Sequence, residues 1–176
     1  QDNGWYSSTD PARIDGGGRL AVSIANPEKV YAYLIGDSKP NDFGYIGLYV
    51  SNNAGQTWSL PNGPVGGPYS TAHPNLAMGT PTWNYHQGFY NCAIVANPNN
   101  ANELLIGGLN LYRSTDAGLS FSSVSGYVGG PLQLHVDNQD FRVIGNHTWI
   151  TTDGGIYHST DFVTTQPDFL MSGVHG

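Results

Sequence analysis

The sequence predicts an all-β chain assembled from repeated four-stranded antiparallel units, and three observations carry that expectation. Short runs of β-branched and aromatic residues alternate with turns rich in Asn, Pro and Gly, the pattern of strands joined by tight connections. Sustained 3.6-residue periodicity is missing, and Gly or Pro interrupts the chain every few residues. Similar segments also recur, with serine-centred turns at Ser51, Ser114 and Ser159, 63 and 45 residues apart. The second spacing fits the roughly 40–45 residues of a four-stranded propeller blade. A Pro- and Gly-rich insertion lengthens the first. The predicted fold class is therefore a β-propeller with four-stranded antiparallel blades, about three of them present.

Taken in order, residues 1–15 read as the end of a preceding blade or a linker. Blade one spans 16–60, with strands through Leu20-Ala21-Val22-Ser23-Ile24, Val30-Tyr31-Ala32-Tyr33 and Gly47-Leu48-Tyr49-Val50, then the turn Ser51-Asn52-Asn53-Ala54-Gly55-Gln56-Thr57-Trp58. A loop rich in Pro, Gly and aromatics occupies 61–88. Blade two spans 89–125, through Cys92-Ala93-Ile94-Val95, Glu103-Leu104-Leu105-Ile106 and Asn110-Leu111-Tyr112-Arg113 to Ser114-Thr115-Asp116-Ala117-Gly118-Leu119-Ser120-Phe121. Blade three spans 126–166, through Phe141-Arg142-Val143-Ile144, Thr148-Trp149-Ile150-Thr151 and Gly155-Ile156-Tyr157-His158 to Ser159-Thr160-Asp161-Phe162, and 167–176 reads as the start of further sequence.

Composition narrows the class. Of 176 residues, 24 are Gly and 11 are Pro, about a fifth of the chain, where average usage is about 12%. Charged residues make up 11%, against about 25% in an average protein. A coiled coil, a charge-laced helical bundle and a highly charged disordered tail are excluded. Six Lys and Arg against 13 Asp and Glu give a net charge of −7 with no basic run, which argues against nucleic-acid binding and docking on anionic membranes. No apolar stretch approaches the ~18 residues of a membrane span. The chain opens on Gln1 and polar sequence, the expectation for a processed chain or one cut from something longer. Cys92 is the single cysteine; in Cys92-Ala93-Ile94-Val95 it reads as a small buried hydrophobe rather than a reactive thiol.

The repeated Ser-X-Asp-X-Gly-X-Thr-Trp turn has a mechanical reading. The Asp accepts backbone N–H bonds, the Gly supplies positive φ, and the terminal aromatic packs into the blade, so the turn staples the third strand to the fourth. Its residues here are Ser51, Asn53, Gly55 and Trp58; Ser114, Asp116, Gly118 and Phe121; and Ser159 with Asp161. Asn53 stands where the pattern has Asp, and the third copy lacks its Gly and Trp.

On these residues the chain resembles the Asp-box, or BNR-repeat, β-propellers, a class shared by sialidases, xyloglucanase-type hydrolases and sortilin-like receptor ectodomains. It is similar in particular to propellers of secreted surface proteins of Bacteroidota, which share a Gly-Gly-Arg-Leu-Ala-Val start, a Gly-X-Tyr strand, a His-X-Asp segment and Asp-Gly-Gly-Ile-Tyr before the last box. Here those are Gly17 to Val22, Gly88 to Asn91, His135 to Asp137 and Asp153 to Tyr157. The likeness covers roughly residues 16–165, with Gln139 in place of a second His after His-X-Asp. It implies an extracellular or cell-surface location in a bacterium.

Connections between antiparallel strands alternate between the two faces of a blade. The serine turns and the first-to-second strand turns share one face. The long segments, 37–45, 61–88 and 122–134, all fall on the other, where a rigid scaffold presents binding residues. In the 61–88 loop, Trp83, Tyr85 and His86 either offer stacking surfaces to a sugar or protein or fold back as the loop's own small core. Arg19, Tyr90 and Gln139 align as equivalent entries to the inner strands, with Asn91 and Asp140 next and His135 and Asp137 just before the third. His135 and Asp137 fall on the same side of an extended chain, as two metal ligands would. Without a third ligand at Gln139, a hydrogen-bonded structural cluster is the favoured reading, and no cofactor is expected. Asp153 is a turn residue before it is a ligand.

Hydrolysis of a glycoside needs two carboxyl groups, or a Tyr nucleophile with an acidic partner. Asp137 with Asp140 is the best pair. The four arginines, Arg13, Arg19, Arg113 and Arg142, do not form the cluster that a sialidase site needs, and Glu28 and Glu103 lie on the staple face. The expected function is therefore non-catalytic binding or adhesion, with carbohydrate or a surface protein as partner. The alternatives are a glycoside hydrolase whose active site is partly outside this chain and a scaffold subunit of a surface assembly. Because propellers close with at least ~4 blades, three blades leave open edges to pair with further sequence or another chain.

Overall fold

The computed structural model describes residues 15–36, 46–61, 76–77, 79–80 and 87–172. They form three antiparallel sheets with strands in simple sequence order. The first holds β1 (Asp15–Ser23), β2 (Asn26–Gly36) and β3 (Gly47–Ser51). The second holds β4 (Ala93–Asn97), β5 (Asn100–Gly107), β6 (Leu111–Ser114) and β7 (Ser122–Ser125), and the third β8 (Asn138–Ile144), β9 (His147–Thr152), β10 (Gly155–Ser159) and β11 (Asp168–Ser172). In the first sheet the fourth place is held by a single bridge, in which the N–H and C=O of Val50 and Ser59 exchange bonds of 2.8 and 2.9 Å.

The opening strands β1, β4 and β8 stand side by side, β4 between the other two. The sheets therefore radiate from a common axis as the blades of a partial β-propeller. Period-two alternation builds the packing between them. On β5, Leu104 and Ile106 point to the first sheet and pack with Tyr31, Tyr33, Leu48 and Val50. Leu105, between them, points the other way to Phe141, Ile150 and Tyr157 of the third sheet. A strand buried on both faces explains the unbroken apolar run Leu104-Leu105-Ile106, each side chain worth about 1.5–3 kcal/mol when fully removed from water. At Gly107 blade two comes close against blade three. A Cβ there would meet Phe141 Cζ at 2.4 Å and Asn138 Cβ at 2.6 Å.

The three serine turns share one hydrogen-bond scheme. Ser51 Oγ accepts Gly55 N–H at 2.8 Å, Ser114 Oγ accepts Gly118 N–H at 2.8 Å, and Ser159 Oγ accepts Val163 N–H at 2.8 Å. Each serine hydroxyl also donates to the side-chain oxygen two residues on, at Asn53, Asp116 or Asp161. In turn, that side chain accepts the N–H four residues beyond it, from Thr57, Ser120 or Thr165. Burial pushes the Asp116 and Asp161 carboxyls up, but donors from Ser120 and Ser114, and from Thr165, Ser159 and Thr164, hold both below the ordinary 3.8. The third turn does without Gly: Phe162 and Val163 take φ of 57° and 65°, where the second uses Ala117 at 60° and Gly118 at 85°. Both are buried in the core between blades two and three, which offsets the backbone strain. Gln166, at the position of Trp58 and Phe121, instead bonds the backbone of Gln133 through both its amide atoms, at 2.7 and 2.8 Å.

The sequence reading closes blade three at 166, and the structure extends it. β11 (Asp168–Ser172) pairs with β10 from His158↔Asp168 to Gly155↔Ser172 and is the outer strand of that sheet. Arg113 joins blade two to the third turn, reaching Glu103 at 3.4 Å, Thr164 Oγ1 at 3.1 Å and the Phe162 carbonyl.

Candidate polar site on the loop face

At the ends of the sheets opposite the serine turns, the first strand of each blade begins and its second strand ends. Gln87 opens a short turn whose carbonyl accepts the N–H groups of both Tyr90 and Asn91 at 2.7 Å, and this delivers Asn91 to the mouth of β4. Asp137 holds the equivalent place before β8 in a left-handed conformation, φ 63°. Asp is among the few residues that tolerate that region. Backbone bonds fix it there. Its N–H reaches Leu109 O at 3.4 Å, its own carbonyl accepts Asp153 N–H at 3.2 Å, and the next N–H, of Asn138, reaches Gly108 O at 2.8 Å. The β8–β9 register slips between Asn138 and Asp140, which leaves Gln139 as the extra residue of a β-bulge.

These devices bring five side chains into one network. Asn91, fully buried, donates through Nδ2 to Gln87 Oε1 at 2.8 Å and to Asp137 Oδ1 at 2.9 Å. Gln139 donates through Nε2 to Asn91 Oδ1 at 2.9 Å and to Asp153 Oδ1 at 2.5 Å. Two carboxylates are thus tied together by two amides. Burial, followed by the nearby Asp153 charge, raises the Asp137 carboxyl above its ordinary 3.8, while His135 and the Asn91 bond act in the opposite sense. Tyr127, 45% exposed, has its phenol raised by burial and by the charges of Asp137 and Asp153, so it belongs to the same locality.

His135 stands at the edge. Its N–H donates to Tyr157 Oη at 2.9 Å, and its Nδ1 lies 2.9 Å from Val136 O. Its ring is so close to Gly154 that a Cβ there would fall 2.4 Å from it. That contact explains the small residue after Asp153. Phe89 and Tyr90 are 66% and 60% exposed beside the Gln87 turn. Arg19 is exposed on β1, and its cation opposes the effect of burial on Cys92, whose thiol is pushed up to about 11.

Several expected site residues therefore meet here and others do not. Asp137 and Gln139 converge with Asn91, and Asp153, read from sequence as a turn residue, is the second carboxylate. Asp140 lies apart from this network, paired to Arg142 at 2.8 Å on the surface. The carboxylate beside Asp137 is Asp153 rather than Asp140: the turn after β9 brings the Asp153 N–H to the Asp137 carbonyl at 3.2 Å, whereas residues three apart on a strand face opposite ways and Asp140 is engaged by Arg142. Trp83, Tyr85 and His86 lie outside the described residues. Among the described residues no group of three or more His, Cys, Asp or Glu is gathered for a metal, and His135 with Asp137 has no third ligand of that kind.

No protein-family model and no curated protein matches the chain. Solved structures similar to it include YCF48 from Cyanidioschyzon merolae, at 16% identity over 95% of this chain and 40% of that one, with a TM-score of 0.49. An ancestral GH74 enzyme is similar at 15% identity over 82% of this chain and 17% of its own, TM-score 0.46. The GH74 xyloglucanase from Xanthomonas campestris is similar at 18% identity over 85% and 25%, TM-score 0.35. The chain spans less than half the length of each. Its own three sheets, radiating from β1, β4 and β8, establish it as an all-β, partial β-propeller.

Proposed function

We propose that this chain is part of a secreted or cell-surface β-propeller that binds carbohydrate without cleaving it, through the network of Asn91, Asp137, Gln139 and Asp153. The supporting observation is that network itself, two carboxylates held in place by two amides beside the exposed rings of Tyr90 and Tyr127. Sugar hydroxyls donate and accept at once. Fixed carboxylate oxygens accept from neighbouring hydroxyls, and aromatic rings cover the apolar face of the pyranose. The groups are already bonded to one another, so little ordering is required when ligand arrives. A surface protein is the other partner class compatible with the same face. The test is a glycan array followed by calorimetry on the glycans that bind, with Asp153→Asn and Trp83→Ala. The reading requires Asp153→Asn to weaken binding at least tenfold without lowering the melting temperature; binding untouched by Asp153→Asn overturns it.

One observation favours a second reading, glycoside hydrolysis. A carboxyl raised by burial and by a neighbouring carboxylate is how an acid catalyst is kept protonated, and Asp137 beside Asp153 has that arrangement. Turnover of a β-glucan or sialoside reporter, abolished by Asp137→Asn, would establish it in place of the binding role.

A further inference from the structure

We infer that the sugar bound at the loop-face network carries an amino group, its ammonium seated against Asp137 and Asp153 and its pyranose ring against Tyr90 and Tyr127. This deepens the carbohydrate reading and rests on it. Two carboxylates stand close together here. The Asp153 N–H donates to the Asp137 carbonyl at 3.2 Å, and Asn91 and Gln139, bonded to each other at 2.9 Å, donate to Asp137 Oδ1 at 2.9 Å and Asp153 Oδ1 at 2.5 Å. Both amides turn N–H groups to the carboxylates, which bonds the oxygens without offsetting their charge. Amide nitrogen in those places does not suit a hard metal ion, which takes oxygen from every side. Tyr90 is 60% exposed beside Asn91, and Tyr127 is 45% exposed in the same locality.

Among the described residues, the Lys and Arg side chains are engaged elsewhere. Arg113 reaches Glu103 at 3.4 Å and Arg142 reaches Asp140 at 2.8 Å. Lys29 Nζ donates to Asn102 Oδ1, and Arg19, whose cation acts on Cys92, donates to the Gly18 carbonyl of its own strand at 3.2 Å. His135 acts against the Asp153 charge at Asp137, yet burial and that charge still hold the carboxyl above 3.8. The Tyr127 phenol is raised by burial and then by both Asp137 and Asp153, so the field of the pair reaches an exposed ring. A sugar hydroxyl donates one hydrogen bond and brings no charge to this field. An ammonium donates three, each about twice as strong against a carboxylate, and supplies the opposite charge. Cation–π attraction to the tyrosine faces acts in the same direction as stacking of the pyranose. A net charge of −7 also favours the approach of a cation. A lysine side chain carries the same ammonium, but its flexible stem gives the two rings no flat face to cover, which favours the amino sugar.

The experiment titrates three β-1,4-linked tetramers into the intact chain by calorimetry in slightly acidic buffer: glucosamine, N-acetylglucosamine and glucose, which differ only in the group at one ring carbon. A lysine tetrapeptide is the fourth arm. The glucosamine tetramer should bind at least tenfold more tightly than either neutral sugar. Raising sodium chloride from about 0.05 to about 0.5 M should weaken it at least threefold and leave neutral-sugar binding unmoved, a readout on the wild-type chain that needs no variant. Asp137→Asn and Asp153→Asn should each weaken the glucosamine tetramer at least tenfold, whereas Asp140→Asn, on the surface with Arg142, should not. Neutral tetramers that bind as tightly as the glucosamine tetramer overturn this inference and leave the carbohydrate reading standing. Binding of the lysine peptide alone, or of none of the four, overturns the inference, with the carbohydrate reading then judged by the wider glycan array.

Discussion

Replacing Asn91 with Ala tests whether the loop-face network is a cooperative unit. The amide makes two donated bonds and one accepted bond, to Gln87, Asp137 and Gln139, at 2.8, 2.9 and 2.9 Å, and its residue is wholly buried. A neutral hydrogen bond contributes about 0.5–1.5 kcal/mol and one to a charged group about 1.5–3. Asp137 and Gln139 are half-buried and recover part of the loss by bonding water. The expected cost is therefore about 2–3 kcal/mol, not the sum of the three. For a chain of this length each kcal/mol moves the melting temperature by about 2–4 °C, so the fall should be about 4–12 °C by calorimetry. A second readout separates this from simple loss of packing. Without the Asn91 donor the Asp137 carboxyl, already raised, should rise further, measured by carboxyl carbon chemical shifts against pH. Asn91→Asp should be worse at neutral pH, since it adds a third carboxylate beside Asp137 and Asp153. A carboxyl raised by such neighbours contributes stability below its unfolded value and loses it as pH rises through the folded value. That variant should therefore be rescued by acid. A melting temperature within about 1 °C of wild type for Asn91→Ala, with an unmoved Asp137 titration, would refute the reasoning.

Four further outcomes are expected. Gly107→Ala should destabilise by about 1–3 kcal/mol in chemical denaturation, because its Cβ meets Phe141 and Asn138 across the blade interface. Ser114→Ala should cost about 1–3 kcal/mol by the same measurement, since the hydroxyl satisfies the Gly118 N–H and holds Asp116. Asp116 and Asp161 are held below 3.8, so their contribution is present above that value and lost as pH falls through the lower folded value; melting curves between pH 5 and 2 should be flatter for Asp161→Asn. Asp137 is raised, so the opposite sign holds, and Asp137→Asn should hold or raise the melting temperature at pH 7 while abolishing ligand binding.

The blades were legible in the sequence because their signals are local. Ser51, Ser114 and Ser159 mark turns whose bonds are made within six residues, so spacing alone locates them. Even the degenerate third copy folds the same way, since Ser159, Asp161 and Thr165 supply the oxygens while Phe162 and Val163 are buried in place of Gly. Tertiary consequences were less legible. Asp153 meets Asp137 only because the turn after β9 folds back over the start of β8, and the bulge at Gln139 is a matter of register, which local pattern does not encode. Gln139 reads from sequence as a missing ligand and is instead the amide that ties Asn91 to Asp153. Blade three's outer strand, Asp168–Ser172, follows the Ser159 turn just as β7 follows the Ser114 turn, so the turn itself marks the strand that the sequence reading places beyond 166.

The most direct measurement of the central claim is calorimetric titration of glycans drawn from an array screen into the wild-type chain and into Asp153→Asn. The account requires saturable binding by the wild-type chain, weakened at least tenfold in the variant, with both proteins melting at the same temperature. Glycan binding of equal strength in both, or no binding across a broad panel, would contradict it.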